Sequence, residues 1–169
     1  YKYHFVQNKY EDAGDGLKYK KLYSFKSPKS NQCYWVWVEV YDRNMYAVKF
    51  HLKADRHNKN KYHRLTQLKE ARPVINTCIR IMIDIHHSNI KASFGFIGSN
   101  LENELESNTK RYKVYKRIMA TYFSESLFTH YFNNDKSAYL LLRNSEIERN
   151  PLLLIEIQDF FTENYNYFD

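Results

Sequence analysis

The feature that most constrains the fold is a long alternation of apolar and polar residues, QCYWVWVEVYDRNMYAVKFHLKAD at positions 32–55. Residues that alternate in this way point to opposite faces of a β-strand. The alternation is interrupted at Asp42-Arg43-Asn44 and therefore predicts two strands joined by a hairpin loop. A one-residue change in loop length would swap the faces of one strand, so the loop sets the register.

A three-residue loop gives the register that best separates apolar from polar side chains, whereas two or four residues would put lysines beside the valines. A type I turn followed by a left-handed residue makes such a loop, and Asn44 tolerates that conformation. One face then carries Tyr34, Val36, Val38, Val40, Tyr46, Val48, Phe50 and Leu52. The other face carries Trp35, Trp37, Lys49, His51 and Lys53.

The remaining segments complete an α+β chain. Strands are predicted at 1–7 and 17–26, on either side of the loop NKYEDAGDG at 8–16, and a mostly buried helix at 72–89 crosses the valine face. A strand at 92–99, a helix within 107–123, a hairpin around Asn133-Asn134-Asp135 and a helix from Pro151 follow. The order β-β-β-β-α-β-α-β-β-α predicts one domain, residues 1–169, with a mainly antiparallel sheet and helices packed on one face.

The helix SNTKRYKVYKRIMATYF, residues 107–123, is amphipathic and basic, with Asn108 or Thr109 predicted as its N-cap. Its apolar side includes Tyr112, Ile118 and Met119, and the opposite side carries Lys110, Lys113 and Arg117. A solvated helix face explains these cations without a ligand. They support phosphate binding only if they share a surface with the two tryptophans.

Charge is unevenly distributed along this basic chain, which has a formal net charge of +7. Lys and Arg concentrate in residues 17–64, whereas acidic residues concentrate after position 145. Such an asymmetry is typical of a surface that binds phosphates, and it equally favours self-association through opposite charges. Nucleobases stack on exposed aromatic rings while nearby cations neutralise the phosphates.

We therefore expect a non-catalytic domain that binds single-stranded DNA or RNA. The expected binding residues are Trp35, Trp37, Lys49, His51, Lys53, Lys110, Lys113 and Arg117. An alternative is an antitoxin-like regulatory module that pairs with itself as a homodimer, or with another protein, through the tryptophan-bearing face. A third reading is an enzyme with Glu39 and His51 as an acid–base pair.

No motif in the chain indicates a cofactor, a metal or a catalytic residue. Gly-rich phosphate loops, serine nucleophile elbows and paired-carboxylate motifs are absent from the sequence. Cys33 and Cys78 are too few for a disulfide framework, which favours a reducing, cytoplasmic setting. The first ten residues lack the apolar run of a signal peptide, and no apolar run is long enough to cross a bilayer, so no membrane partner is expected.

Two resemblances add to these expectations. The stretch from SFGFIGS through NTKRYKVYKRIMATYF to SAYLLLRN, about residues 92–143, resembles a family of small uncharacterised bacterial proteins. That resemblance implies no activity and no site residue. The four leading strands and the helix after them are also similar to single-stranded nucleic-acid binders of the Whirly and PUR kind. This second likeness concerns topology alone, and topology does not determine function.

Overall fold

The computed structural model describes residues 1–10, 16–63, 68–97, 105 and 107–164. Its strands are β1 (Tyr3–Lys9), β2 (Leu17–Lys26), β3 (Cys33–Tyr41), β4 (Met45–Leu52), β5 (Ser93–Ile97), β6 (Phe128–Asn133) and β7 (Ala138–Arg143). Its α-helices are α1 (Ala71–Ser88), α2 (Lys110–Tyr122), α3 (Asn144–Arg149) and α4 (Leu153–Asn164). Most of the predicted loop at 8–16 and the last two residues of the predicted strand at 92–99 lie outside the described residues.

The strands form one sheet in the order β1-β2-β3-β4-β5-β7-β6. Neighbouring strands are antiparallel except for β4 and β5, which run parallel. The parallel pair follows from its connection, because α1 carries the chain back across the sheet before β5 begins. The predicted α+β class with a mainly antiparallel sheet is confirmed.

The β3–β4 hairpin has the predicted register and a three-residue loop. Val36 lies opposite Phe50, and Val38 lies opposite Val48. The loop residues Asp42–Asn44 form a tight turn in which Asn44 has a φ of 55° and Arg43 a φ of 54°. Arg43 thus also adopts the left-handed conformation that we expected of Asn44 alone.

The valine face of the sheet is the main core, and α1 and α2 cover it. Val36 and Val38 are fully buried there beneath Ile79 and Met82 of α1 and Met119 of α2. Helix α2 begins at the expected cap, since the Thr109 side chain accepts a hydrogen bond from the backbone N–H of Tyr112. The packing of α1 and α2 on the valine face follows directly from the amphipathic patterns of the two helices.

A second apolar cluster lies on the opposite face of the sheet, beneath α4. The cluster joins sheet residues to inward residues of α4: Tyr41, Met45, Ala47, Leu140, Leu142, Leu153, Ile157 and Phe161. Helices therefore pack on both faces, and the expectation of a single covered face is wrong in this respect. The reason is the uninterrupted apolar run of β7, which buries Leu141 on one face and Leu140 on the other.

Candidate nucleic-acid interface

The two tryptophans lie on the face opposite the valine core, beyond the part that α4 covers. Cross-strand pairing sets Trp35 between Ser24 and His51, and Trp37 between Leu22 and Lys49. We call this region the indole face and define it by residues of β2, β3 and β4: Lys20, Leu22, Ser24, Lys26, Trp35, Trp37, Glu39, Lys49 and His51. The predicted neighbours of both tryptophans are confirmed.

The two indoles are half-buried and perpendicular to each other. Their ring centroids are 6.2 Å apart with an interplanar angle of 90°. The Lys53 ammonium nitrogen lies 5.7 Å from the centroid of the Trp35 ring, within the range of a cation–π contact. The face of one indole is therefore turned toward the edge of the other, and the two rings do not form one flat surface.

Glu39 is a buried carboxylate that organises the cations of the indole face. The Lys49 ammonium nitrogen lies 2.7 Å from one Glu39 oxygen, and that of Lys20 lies 3.7 Å from the other. The Tyr41 hydroxyl donates a third contact at 3.0 Å. Lys49, an expected phosphate ligand, is therefore already neutralised by a carboxylate. Lys26 and Lys53 are the exposed cations at the margin of this region.

His51 is buried, whereas a residue that binds phosphate has to be accessible from the surface. Its side chain is 3% exposed, and its ring contacts Trp35 and Tyr62 at centroid distances of 6.1 and 5.4 Å. Burial lowers the pKa of His51 below its ordinary value, and the nearby Lys61 charge lowers it further. The imidazole is therefore neutral near pH 7, and it has neither the charge nor the access that we expected.

The second ring nitrogen of His51 is the unusual polar atom of this region. Nδ1 lies 2.8 Å from the carbonyl oxygen of Leu52, so Nδ1 carries the hydrogen and donates it. Nε2 is then a bare acceptor, buried and without a hydrogen-bond partner among the described residues. An unsatisfied buried acceptor costs about 1–3 kcal/mol. Buried polar atoms are nearly always paired in folded proteins, so this one requires an explanation.

The segment from Lys53 to His63 places Tyr62 over His51. Arg111 of α2 donates a hydrogen bond to the Tyr62 carbonyl and so tethers the segment to the helix. Burial raises the pKa of the Tyr62 phenol, and the Glu39 charge raises it further, so the phenol stays protonated. Sequence reasoning missed Tyr62, because one aromatic residue within a Lys- and Asn-rich stretch resembles any surface loop.

The basic stripe of α2 lies on the other side of the sheet from the indoles. Lys110, Lys113 and Arg117 are exposed, as predicted. However, Tyr115 and Met119 pack α2 on the valine face, where Tyr115 contacts Phe50 and Phe96. The stripe consequently faces away from the sheet. It does not share a surface with Trp35 and Trp37, as phosphate binding by both would require.

The proposed acid–base pair is not formed either. The contacts of Glu39 are to Tyr41, Lys20 and Lys49, whereas His51 bonds to the Leu52 carbonyl. Within the described ranges, no group of three or more His, Cys, Asp or Glu side chains is arranged to hold a metal ion. None of the helices described has the length and apolar character that crossing a bilayer requires.

Comparisons with protein-family models, curated proteins and solved structures find no match. The resemblances noted from the sequence therefore stay predictions. What the chain binds has to be inferred from the geometry of the indole face.

Proposed function

We propose that this chain binds single-stranded nucleic acid through the indole face, without strong sequence preference. The observation that carries the proposal is the position of Trp35 and Trp37, partly exposed on the sheet face that is turned away from the valine core. A base stacked on one indole gains about 1–3 kcal/mol, and every base has a suitable π-face. This mode of binding accounts for low sequence preference.

The cations around the indoles match the other half of such a ligand. Lys26 and Lys53 are exposed, while Lys20 and Lys49 flank the buried Glu39. A strand whose base stacks on an indole brings its phosphates toward the margin, where Lys26 and Lys53 neutralise them. Bound phosphates release counterions, so the affinity falls as the salt concentration rises.

The first test compares two double variants that remove equal charge from opposite sides of the sheet. Lys26→Ala with Lys53→Ala alters the indole face, whereas Lys113→Ala with Arg117→Ala alters the exposed stripe of α2. Affinity for a labelled oligonucleotide is measured by fluorescence anisotropy over a range of salt concentrations. We expect the first variant to lose affinity about tenfold. The slope of log affinity against log salt concentration should also decrease in magnitude by about 1.4, the value for two lost phosphate contacts to a single strand.

The α2 variant should bind within about twofold of the unmodified protein. Trp37→Ala, in a protein shown by circular dichroism to be folded, should weaken binding by about 5- to 150-fold, the equivalent of one stacked base. Equal losses in both double variants would mean that only net charge matters. Absence of salt-dependent binding would reject the proposal.

A second candidate is self-association through the edge strand β1. Strand β1 lies at one edge of the sheet, and Phe5 and Val6 on it are 51% and 44% exposed. Exposed apolar residues on an edge strand favour pairing with another strand. Sedimentation at increasing protein concentration tests this candidate, since a dimer gives about twice the mass of the 20.5 kDa chain. Phe5→Lys should return such a dimer to the monomer.

A further inference from the structure

The inference concerns His51 and rests on the proposed function. Its Nε2 atom is a buried acceptor, and the imidazole ring that carries it contacts two aromatic rings, those of Trp35 and Tyr62. An acceptor beside aromatic rings suits a flat ligand that carries an N–H group. Nucleobases combine both properties, and the sheet already offers them a stacking surface.

Tyr62 is the residue of the 53–63 segment whose ring packs against the His51 imidazole. The hydrogen bonds within its segment are short-range, such as Arg56 N–H to the Lys53 carbonyl and His63 N–H to the Asn60 carbonyl. Contacts of the segment with the rest of the protein include the Tyr62 ring against His51, the Lys53 ammonium near the Trp35 ring and the Arg111 hydrogen bond. Residues 56–60 are exposed, so their movement uncovers little apolar surface, and the Tyr62 ring is the main contact to be broken at His51.

We propose that His51 is a base-contacting residue of the indole face: a nucleobase displaces the Tyr62 ring and donates an N–H hydrogen bond to His51 Nε2. Trp35 then forms one wall of the site, and the displaced segment brings Arg56, Lys59 and Lys61 toward the phosphates. His51 acts as a neutral acceptor here, in place of the phosphate-binding cation that the sequence predicted.

The test removes the donor from the ligand and leaves the protein unchanged. Short homo-oligonucleotides of adenine are compared with the same strand containing purine without its 6-amino group. Strands of thymine are compared with N3-methylthymine. For at least one pair, we expect the strand without the donor to bind about tenfold more weakly, because the loss of a donor leaves the buried acceptor unpaired.

Variants then assign the effect to His51. His51→Phe keeps a ring against Trp35 and Tyr62 but removes the acceptor, so both strands of the pair should bind equally and weakly. His51→Gln supplies an amide oxygen and should restore part of the discrimination. His57→Phe changes an exposed histidine of the same segment and should leave the discrimination intact. If His51→Phe does not fold, the comparison of ligands on the unmodified protein still decides the question.

Hydrogen exchange tests the displacement of Tyr62. Amides of residues 56–63 should exchange faster when the oligonucleotide is bound, because the segment has left the sheet. Unchanged or slower exchange would refute the displacement. Binding without discrimination in either pair would overturn the role of His51 and leave the proposed function standing. Absence of all oligonucleotide binding at low salt would overturn both.

Discussion

At the scale of single residues, the buried charge of Glu70 is held by hydroxyl groups. The carboxylate is 2% exposed and accepts hydrogen bonds from Ser27, from Ser30 at 2.7 Å, from Tyr34 at 2.8 Å and from Tyr1 at 3.2 Å. Burial alone would raise the pKa of Glu70, but these donors outweigh it and lower the pKa. Glu70 thereby ties the β2–β3 turn to the start of α1.

We predict that Glu70→Gln lowers the free energy of unfolding at pH 7 by about 1–3 kcal/mol, because the amide cannot accept all of these hydrogen bonds. The folded-state pKa is below the unfolded one, so the stabilisation by Glu70 is present above the unfolded pKa. It is lost as the pH falls through the folded pKa. Urea unfolding at pH 7 and at acid pH should show that the variant differs from the unmodified protein mainly at pH 7. Glu148→Gln, on an exposed residue, should change stability by less than about 0.5 kcal/mol at both.

At the scale of secondary-structure elements, α4 is the part of the fold that the sequence placed least well. Its amphipathic pattern predicted a helix, and a helix is present. The face of the sheet on which it packs was not predicted, because amphipathicity identifies the apolar side of a helix without identifying its partner. That partner is β7, whose side chains are buried on both faces of the sheet. As a result, α4 covers Tyr41 and Met45 and leaves the indole face beside it.

Two isoleucines on α4 test this packing. Ile157 is 3% exposed and belongs to the apolar cluster under the helix, whereas Ile155 is 53% exposed on the outer side. We expect Ile157→Ala to lower the free energy of unfolding by about 2–4 kcal/mol, because it leaves a cavity against the sheet. Ile155→Ala should change it by less than about 0.5 kcal/mol. Similar losses in urea unfolding for both variants would contradict the packing of α4.

At the scale of the whole molecule, the two faces of the sheet have different roles. The valine face is closed by α1 and α2 and contains the largest apolar cluster of the described residues. The other face is divided between α4 and the indole face. This division separates the basic stripe of α2 from the tryptophans by the thickness of the sheet. Lysines and arginines that are close in the sequence are therefore divided between the two sides of the sheet, and fewer of them share one surface than their number in the sequence suggests.

The two cysteines report on this organisation. Cys78 is 5% exposed in the valine-face core, and burial raises the pKa of its thiol to about 12, whereas Cys33 on β3 is partly exposed. Because thiolates are the reactive form, we predict that a thiol reagent modifies Cys33 in the folded protein and modifies Cys78 only after unfolding. Modification of Cys33 should give a fast kinetic phase, which Cys33→Ser removes. The slow phase, which Cys78→Ser removes, should accelerate with urea. A fast second phase in native buffer would contradict a closed core.

The sequence by itself determined the α+β class, the register of the β3–β4 hairpin and the sheet face of each tryptophan, and it narrowed the cap of α2 to Asn108 or Thr109. These features depend on residue periodicity and local turn chemistry, and both operate over a few residues. Tertiary structure alone decided that α4 packs opposite α1, that α2 lies on the other side of the sheet from Trp35 and Trp37, and that Tyr62 packs on His51. Such pairings depend on which distant surfaces bury each other, and a one-dimensional pattern does not specify the partner of an apolar face.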